Sequence, residues 1–380
     1  MKISGDWLTR AETQAVCAML MAGGYQALLV GGCVRNALLG APVADVDIAT
    51  DAPPQIVSDL AENAGFKAVP TGIDHGTVTI IAGGIPHEVT TFRRDVETFG
   101  RHAKVAFSTR LNDDAARRDF TMNALYARPD GTVLDPLNGL PDLMARRVRF
   151  VGDPEQRIGE DYLRILRFFR FHAWYGDPAG GLDPDGLAAC AANAEYIDNL
   201  SRERIGAEMR RLLAAPDPAP AIAAMAQAGV LGRVLPGADP RALPALIHLE
   251  GDLAPTWMRR LAVLGGDDAM DRLRLSRAEA QALALIRDGL AGLRPAAELG
   301  YRYGAGPACD IVLARAALLE QPPPHDWKNQ VAIGAAARFP VTAADLMPAL
   351  TGPALGARLA ELESRWIASG FLLTRKMLLA

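Results

Sequence analysis

Cysteine is scarce: the 380-residue chain has four, Cys17, Cys33, Cys190 and Cys309. Their wide scatter excludes a zinc pattern and a disulfide framework, so a reduced, cytoplasmic protein is the default expectation. Lysine is scarcer still. Only five of the 40 cationic residues are lysine, and the rest are arginine. Codon bias is the bland account of that; arginine also suits phosphate forks and base edges where its position supports it. There is no excess of positive charge, with 40 cations against 44 anions and a net charge of −4. That argues against a histone-like or tail-like binder of nucleic acid, and leaves room for a local basic groove. No run approaches the ~18 apolar residues of a membrane span. The opening Met1 to Trp7 carries no signal-peptide core. No internal repeat of fixed period and no charged low-complexity tail is found.

What is present is a chain that is 50% apolar, enough for a packed core. Its length predicts roughly two to three domains. The first ~140 residues read as mixed α and β. Ala27 to Val30 is an apolar run entering Gly31-Gly32, followed by a short helix from Val34 to Leu39 closed by Gly40. Val43 to Ile48 alternates apolar and acidic residues, a strand signal. Pro53-Pro54 opens a helix to about Asn63, stopped by Gly65. Thr77 to Ala82 and Ile85 to Phe92 flank Gly83-Gly84, a hairpin signal. From about Asp142 strand signals vanish. Helical spacing takes over in Arg157 to Trp174, Arg204 to Ala214, Pro220 to Ala228, Arg277 to Gly289 and Ala354 to Ile367. The fold class is therefore α+β, a mixed head followed by an all-helical remainder.

The chemistry gathers at Gly31-Gly32, Arg35 and Asp45-Val46-Asp47. On a strand, positions i and i+2 share a face, so Asp45 and Asp47 point the same way. Two such carboxylates can converge on Mg²⁺, a hard cation that prefers oxygen. A pair of ions ~3.5–4 Å apart activates an attacking hydroxyl and stabilises a leaving phosphate. The glycines let backbone N–H groups approach phosphates, and Arg35 is placed to pair with a triphosphate. Each element alone is commonly a plain turn or a solvated strand face. Strand, glycine turn, helix and acidic strand in one unit point to a nucleotidyltransferase site.

Leu29 to Thr50, LVGGCVRNALLGAPVADVDIAT, closely resembles the signature of the class II tRNA nucleotidyltransferase and bacterial poly(A) polymerase family, within the polymerase-β-like superfamily. Arg117 to Ala124 is similar to its RRDFTxNA motif, and Asp135-Pro136 with Gly139 and Asp142 to its DPxxGxxD segment. Glu160 to Arg164 with Arg167 and Arg170 is similar to its EDxLRxxRxxR helix, and Ser201 to Glu208 to its ERxxxE element. The resemblance is strong over about 25–235. Gly352 to Phe371 is similar to the end of alphaproteobacterial-type CCA-adding enzymes. Asn36 stands where the family usually has Asp. The resemblance implies a head at 1–141, a neck with a base-recognition helix at 142–205, and a tRNA-binding body and tail at 206–380. It implies Asp45 and Asp47 as metal ligands, and a third catalytic carboxylate for which Glu88 is the candidate. Glu88 is also readable as a solvated hairpin residue. A flexible loop around Gly100, between Arg93 and Lys104, is implied to help the switch between C and A addition.

Beside the resemblance, Arg118 is placed to hold a phosphate. Asp119 and Asn123, four residues apart, can face one ribose; Asp119 can equally cap the helix starting near Phe120. Asp161 and Arg164, three apart on one predicted helix, either form an ordinary ion pair or read a base. Asp accepts from the amino group of C or A and Arg donates to the ring nitrogen beside it, whereas G and U present the opposite polarity. The protein would then be its own template. Arg167 is a plausible ligand contact, and Arg170 reaches phosphate only if the helix crosses the site. His75, His87 and His102 fit no zinc spacing. His325-Asp326 lacks a companion metal-ligand cluster and reads as a loop. Arg146-Arg147-Arg149 and Arg272-Arg274-Arg277 are candidate RNA contacts or plain solvated faces.

The expected activity is addition of C, C and A to the tRNA 3′ end from CTP and ATP without a template. The partners are tRNA, CTP and ATP, with no membrane and no obligate protein partner. The alternatives are a poly(A) polymerase, an enzyme adding only C or only A, and a catalytically silent RNA-binding protein on the same scaffold.

Overall fold

Period-two apolar patterning builds the first part of the chain into a sheet. The computed structural model describes residues 1–99 and 102–380. Its strands are β1 (Leu28–Val30), β2 (Asp47–Thr50), β3 (Lys67–Gly72), β4 (Thr77–Ala82), β5 (Ile85–Thr91), β6 (Arg93–Phe99), β7 (His102–Phe107), β8 (Tyr126–Ala127) and β9 (Val133–Leu134). Seven of them form one sheet in the order β3-β4-β5-β2-β1-β8-β9, and β6-β7 is a separate hairpin. The centre of the expected flexible loop, Gly100, lies outside the described residues, as does the side chain of His102. Within the large sheet β2 and β5 pair in parallel and set Asp47 opposite Glu88. Paired positions share a face, so both carboxylates stand on the same side.

Apolar residues fix that orientation. Ile48, Val78, Ile80 and Val89 point to the opposite side, where they pack on Val16, Leu20, Val57 and Ala61. The last four belong to helices Ala11–Ala22 and Pro54–Asn63. A one-residue slip would exchange the buried face for the acidic one.

The α+β reading holds, and two local expectations need correction. The acidic strand starts only at Asp47, so Asp45 lies in the segment leading into it. The helix expected over Arg157 to Trp174 is broken into Pro154–Glu160 and Leu163–Tyr175. At the break Asp161 is extended, φ −156° and ψ 105°. Its Oδ1 accepts the Leu163 N–H at 3.1 Å, satisfying one of the donors that open the next helix.

The chain divides into two compact units, Met1–Glu208 with Pro220–Val234 and Met209–Ala219 with Leu235–Ala380. The first holds the sheet and the helices Pro154–Glu160 and Leu163–Tyr175. The second is helical. In it Ala296–Tyr303 and Trp327–Ala336 approach until backbones touch: a Cβ on Gly334 would fall 1.8 Å from the Ala297 carbonyl oxygen. Only glycine fits there. The same unit buries a charged cluster. Glu250 accepts from Arg259 at 2.9 Å and from Arg260 at 2.7 Å. Arg259 also reaches Asp310 at 2.8 Å, and Arg260 the Leu213 carbonyl at 2.7 Å. Among the described residues no helix is long and apolar enough to cross a membrane.

Candidate active site

Gly31 ends β1 at φ 70° and ψ −118°, a backbone shape that glycine adopts freely. A Cβ there would lie 3.3 Å from Arg118 Nη1, so the Arg118 guanidinium packs against the turn. The rest of that guanidinium is fixed. Nη2 donates to Asp114 at 3.0 Å and Nε to the Tyr126 hydroxyl at 3.0 Å, while the hydroxyl donates to Asp114 at 2.7 Å. Asp114 is buried. Sequence reasoning missed it; its position one helical turn before Arg118 was the available signal.

Asp47 stands partly buried at the edge of this turn. Burial, then the charges of Glu88 and Asp45 set against Arg118, push its carboxyl up to about 6. Among the described residues the side chains of Asp45, Asp47 and Glu88 make no hydrogen bond or salt bridge. Three carboxylates left without partners beside one arginine suit a divalent cation, whose charge relieves their repulsion. Among the described residues no three metal-ligating side chains converge into a complete cage. Asp45 and Asp47 are the residues that could hold such a cation, a hard ion that prefers oxygen.

Asp119 is buried at the centre of a second network. Its Oδ2 takes Arg167 Nε at 2.8 Å, and its Oδ1 takes Asn123 Nδ2 at 2.8 Å and the Phe120 N–H at 2.8 Å. Burial alone would raise its pKa. Arg167 and these donors outweigh burial and hold it at about 2. Asp119 thus ties this segment to helix Leu163–Tyr175, and it does not cap a helix as the alternative reading expected: Thr121–Asn123 is a single 3₁₀ turn whose N-cap is Phe120, with no side-chain cap.

Arg35 differs from expectation. It is buried, with Nη1 on Asn123 Oδ1 at 2.5 Å and Nη2 on Asn36 Oδ1 at 2.9 Å and on the Tyr175 hydroxyl at 2.8 Å. Its guanidinium lies 4.0 Å from the Tyr175 ring centroid. With its donors used this way it orients Asn123 and Asn36 and is not free to grip a triphosphate. Asn36 also donates to the Pro42 carbonyl at 2.8 Å, which ties the helix to the segment leading to Asp45.

Asp161 and Arg164 do not share one helix face as expected, because the helix breaks at Asp161, and their side chains take other partners, so the ordinary ion pair is not formed. Asp161 Oδ2 instead accepts Arg204 Nη2 at 2.6 Å. Arg164 is held by Glu160 and donates to the Arg157 carbonyl at 2.7 Å. Arg170 is buried against Glu208, with Nε to Oε2 at 2.5 Å, so it braces helix Leu163–Tyr175 against helix Arg202–Leu213 and does not reach out to phosphate. Phe168, Phe169 and Phe171 are core, as their burial shows. His87 is buried between Thr13 and the Ile85 carbonyl, both at 3.1 Å, which leaves it no metal role. Arg146, Arg147 and Arg149 are exposed, and Arg149 pairs with Asp142 at 2.7 Å.

This arrangement has relatives. Residues 27–149 match the family described as poly A polymerase head domain. Residues 181–241 match the one described as probable RNA and SrmB-binding site of polymerase A. The chain is 43% identical to human mitochondrial CCA tRNA nucleotidyltransferase 1 over 190 residues, 50% of this chain and 44% of that one. It is 40% identical to the CCA-adding enzyme of Geobacillus stearothermophilus over 228 residues, 60% of this chain and 54% of that one. Measured by these matches, the chain spans about half the length of the curated relatives. The crystal structure of the Bacillus stearothermophilus CCA-adding enzyme in complex with CTP superposes with a TM-score of 0.74 at 30% identity, covering 94% of this chain and 92% of that one. The chain belongs to the class II CCA-adding enzyme family. A Thermotoga maritima CCA-adding enzyme complexed with tRNA has the same fold, with a TM-score of 0.72 at 18% identity.

Proposed function

We propose that this protein adds C, C and A to the 3′ end of tRNA, using CTP and ATP and no nucleic-acid template. The carrying observation is the parallel register that sets Asp47 against Glu88, with Asp45 nearby and Arg118 packed on the Gly31 turn. Asp45 and Asp47 would hold Mg²⁺, which when bound supplies Lewis-acid stabilisation to the transferring phosphoryl group. Glu88 adds negative potential on the side where a 3′ hydroxyl loses its proton. Arg118, clamped by Asp114 and Tyr126, offers Nη1 to a phosphate at the Gly31-Gly32 turn without having to reorganise. Asn123, oriented by Asp119 and Arg35, faces the ribose. Positioning and charge thus carry the phosphoryl transfer.

Base choice falls to Asp161 and Arg164. Asp161 exchanges Arg204 for the amino group of C or A, and Arg164 donates to the ring nitrogen. Arg167 lies on the same helix as Arg164 and is held by Asp119. We assign 1–141 as head, 142–205 as neck and 206–380 as body and tail that grip tRNA by shape and phosphate contacts. Four free cysteines, three of them buried, fit a cytoplasmic protein.

Incubation of the protein with tRNA ending at its discriminator base, Mg²⁺ and single or paired nucleotides tests this. CTP alone should give two added residues, CTP with ATP three, and GTP or UTP none. Open-ended extension by ATP alone would identify a poly(A) polymerase and overturn the reading. Asp161→Ala should lower discrimination of CTP against UTP by about 10–100-fold, the ~1–3 kcal/mol of one bidentate base contact. Unchanged discrimination in single-turnover assays would remove Asp161 from base readout.

A further inference from the structure

We propose that a basic pocket lined by Arg94, Arg110, Arg117 and Arg157, with Asp113 and Glu160, binds a phosphodiester of the RNA strand whose 3′ end is extended. This deepens the tRNA-extending reading above and rests on it. The pocket measures about 350 Å³ and belongs wholly to the first unit. Its carboxylates are already committed. Asp113 accepts the Ser108 hydroxyl at 2.6 Å, and Glu160 accepts Arg157 Nη1 at 2.9 Å and also holds Arg164. The side chains of Arg94 and Arg110 are exposed and make no hydrogen bond or salt bridge among the described residues. Two uncommitted guanidiniums over a polar recess attract an anion, and their planar forks match phosphate oxygens.

Position favours the RNA strand over the nucleotide triphosphate. The triphosphate belongs at the Gly31 turn, beside Asp47. The pocket opens beside Arg164: Glu160 bridges Arg157 and Arg164, and Arg164 Nη2 lies 3.4 Å from the Arg117 carbonyl. A phosphate held there sits next to the base-reading arginine, where the strand's last nucleotides must pass to stack against an incoming base.

The test compares wild type with the Arg94→Ala/Arg110→Ala variant. Binding of tRNA lacking its CCA end is followed by fluorescence anisotropy across salt, and CTP affinity is measured by calorimetry without RNA. The variant should bind tRNA on the order of tenfold more weakly and lose about 0.7 from the salt slope, the value for one single-strand phosphate contact. CTP affinity should not change, and Arg94→Lys/Arg110→Lys should restore most of the slope. A tRNA with neutral methylphosphonates at its last two linkages should weaken wild type to the level of the variant and weaken the variant no further. An unchanged salt slope overturns the assignment. So does an equal loss of CTP affinity, which would give the pocket to the triphosphate, and so do methylphosphonate and arginine losses that simply add. A wild type that binds tRNA yet extends nothing defeats the proposed reaction and leaves the pocket standing. A wild type that completes CCA beside an unaltered variant defeats the pocket alone.

Discussion

Asp47→Asn should lower incorporation of CMP into tRNA by on the order of 10³-fold while tRNA binding stays intact. The substitution keeps the shape and removes one of the two carboxylates offered to Mg²⁺, so the loss falls on stabilisation of the transferring phosphoryl group. Stability should move the other way. Partial burial and the neighbouring Glu88 and Asp45 raise the Asp47 pKa to about 6, so its charge costs the fold something at neutral pH. A folded-state pKa above the unfolded value means a contribution present at low pH and lost as pH rises through about 6. Without metal, the Asp47→Asn variant should therefore melt higher than wild type at pH 7.5 and show less gain on acidification. Thermal melts with chelator, set beside single-turnover incorporation, check both halves. Wild-type rates in the variant would place the metal elsewhere.

The second large effect is structural. Asp119→Ala takes the buried acceptor from Asn123 and the nearer carboxylate from Arg167, which keeps Glu208 at 3.8 Å and is partly exposed, so the cost should fall at the low end for breaking a buried pair, about 3 kcal/mol. Urea unfolding should show the midpoint falling with the slope unchanged. Asp119→Asn keeps an acceptor but loses the charge, and should fall between. The acid limb supplies an independent signature. The Asp119 pKa is held at about 2, below its ordinary 3.8, so its stabilisation is full above pH 4 and lost as pH falls through about 2. Wild type should lose about 2 kcal/mol over that window through this group, and Asp119→Asn should not. An acid transition identical in the two proteins would show that the Arg167 pairing carries no net energy.

Much of the head was legible because local and tertiary demands agree there. The Thr77 to Phe92 hairpin follows from period-two patterning around Gly83-Gly84, and Pro54 and Gly65 bracket a helix as their chemistry dictates. The break at Asp161 was only faintly marked. Gly159 lies two residues before it, in the last turn of the first helix, but Glu160 and Leu163 on either side are good helix formers. A carboxylate that caps the following helix and holds Arg204 from 43 residues away outweighs propensity. Arg35 misled for a related reason. Its placement after the glycine turn suggests a phosphate, but its partners Asn123 and Tyr175 lie 88 and 140 residues on, beyond any local pattern. The residue types of the site were readable from spacing; which of them are committed to their neighbours required the packing.

The quartet of Glu250, Arg259, Arg260 and the partly buried Asp310 restricts how the helical unit can change over time. Losing Glu250 strands two buried guanidiniums, whereas replacing the whole set by well-packed apolar groups can be neutral. Descendants of this chain are thus held to the ionic solution by a valley between two tolerable sequences, and homologues should carry these positions together or have exchanged them together.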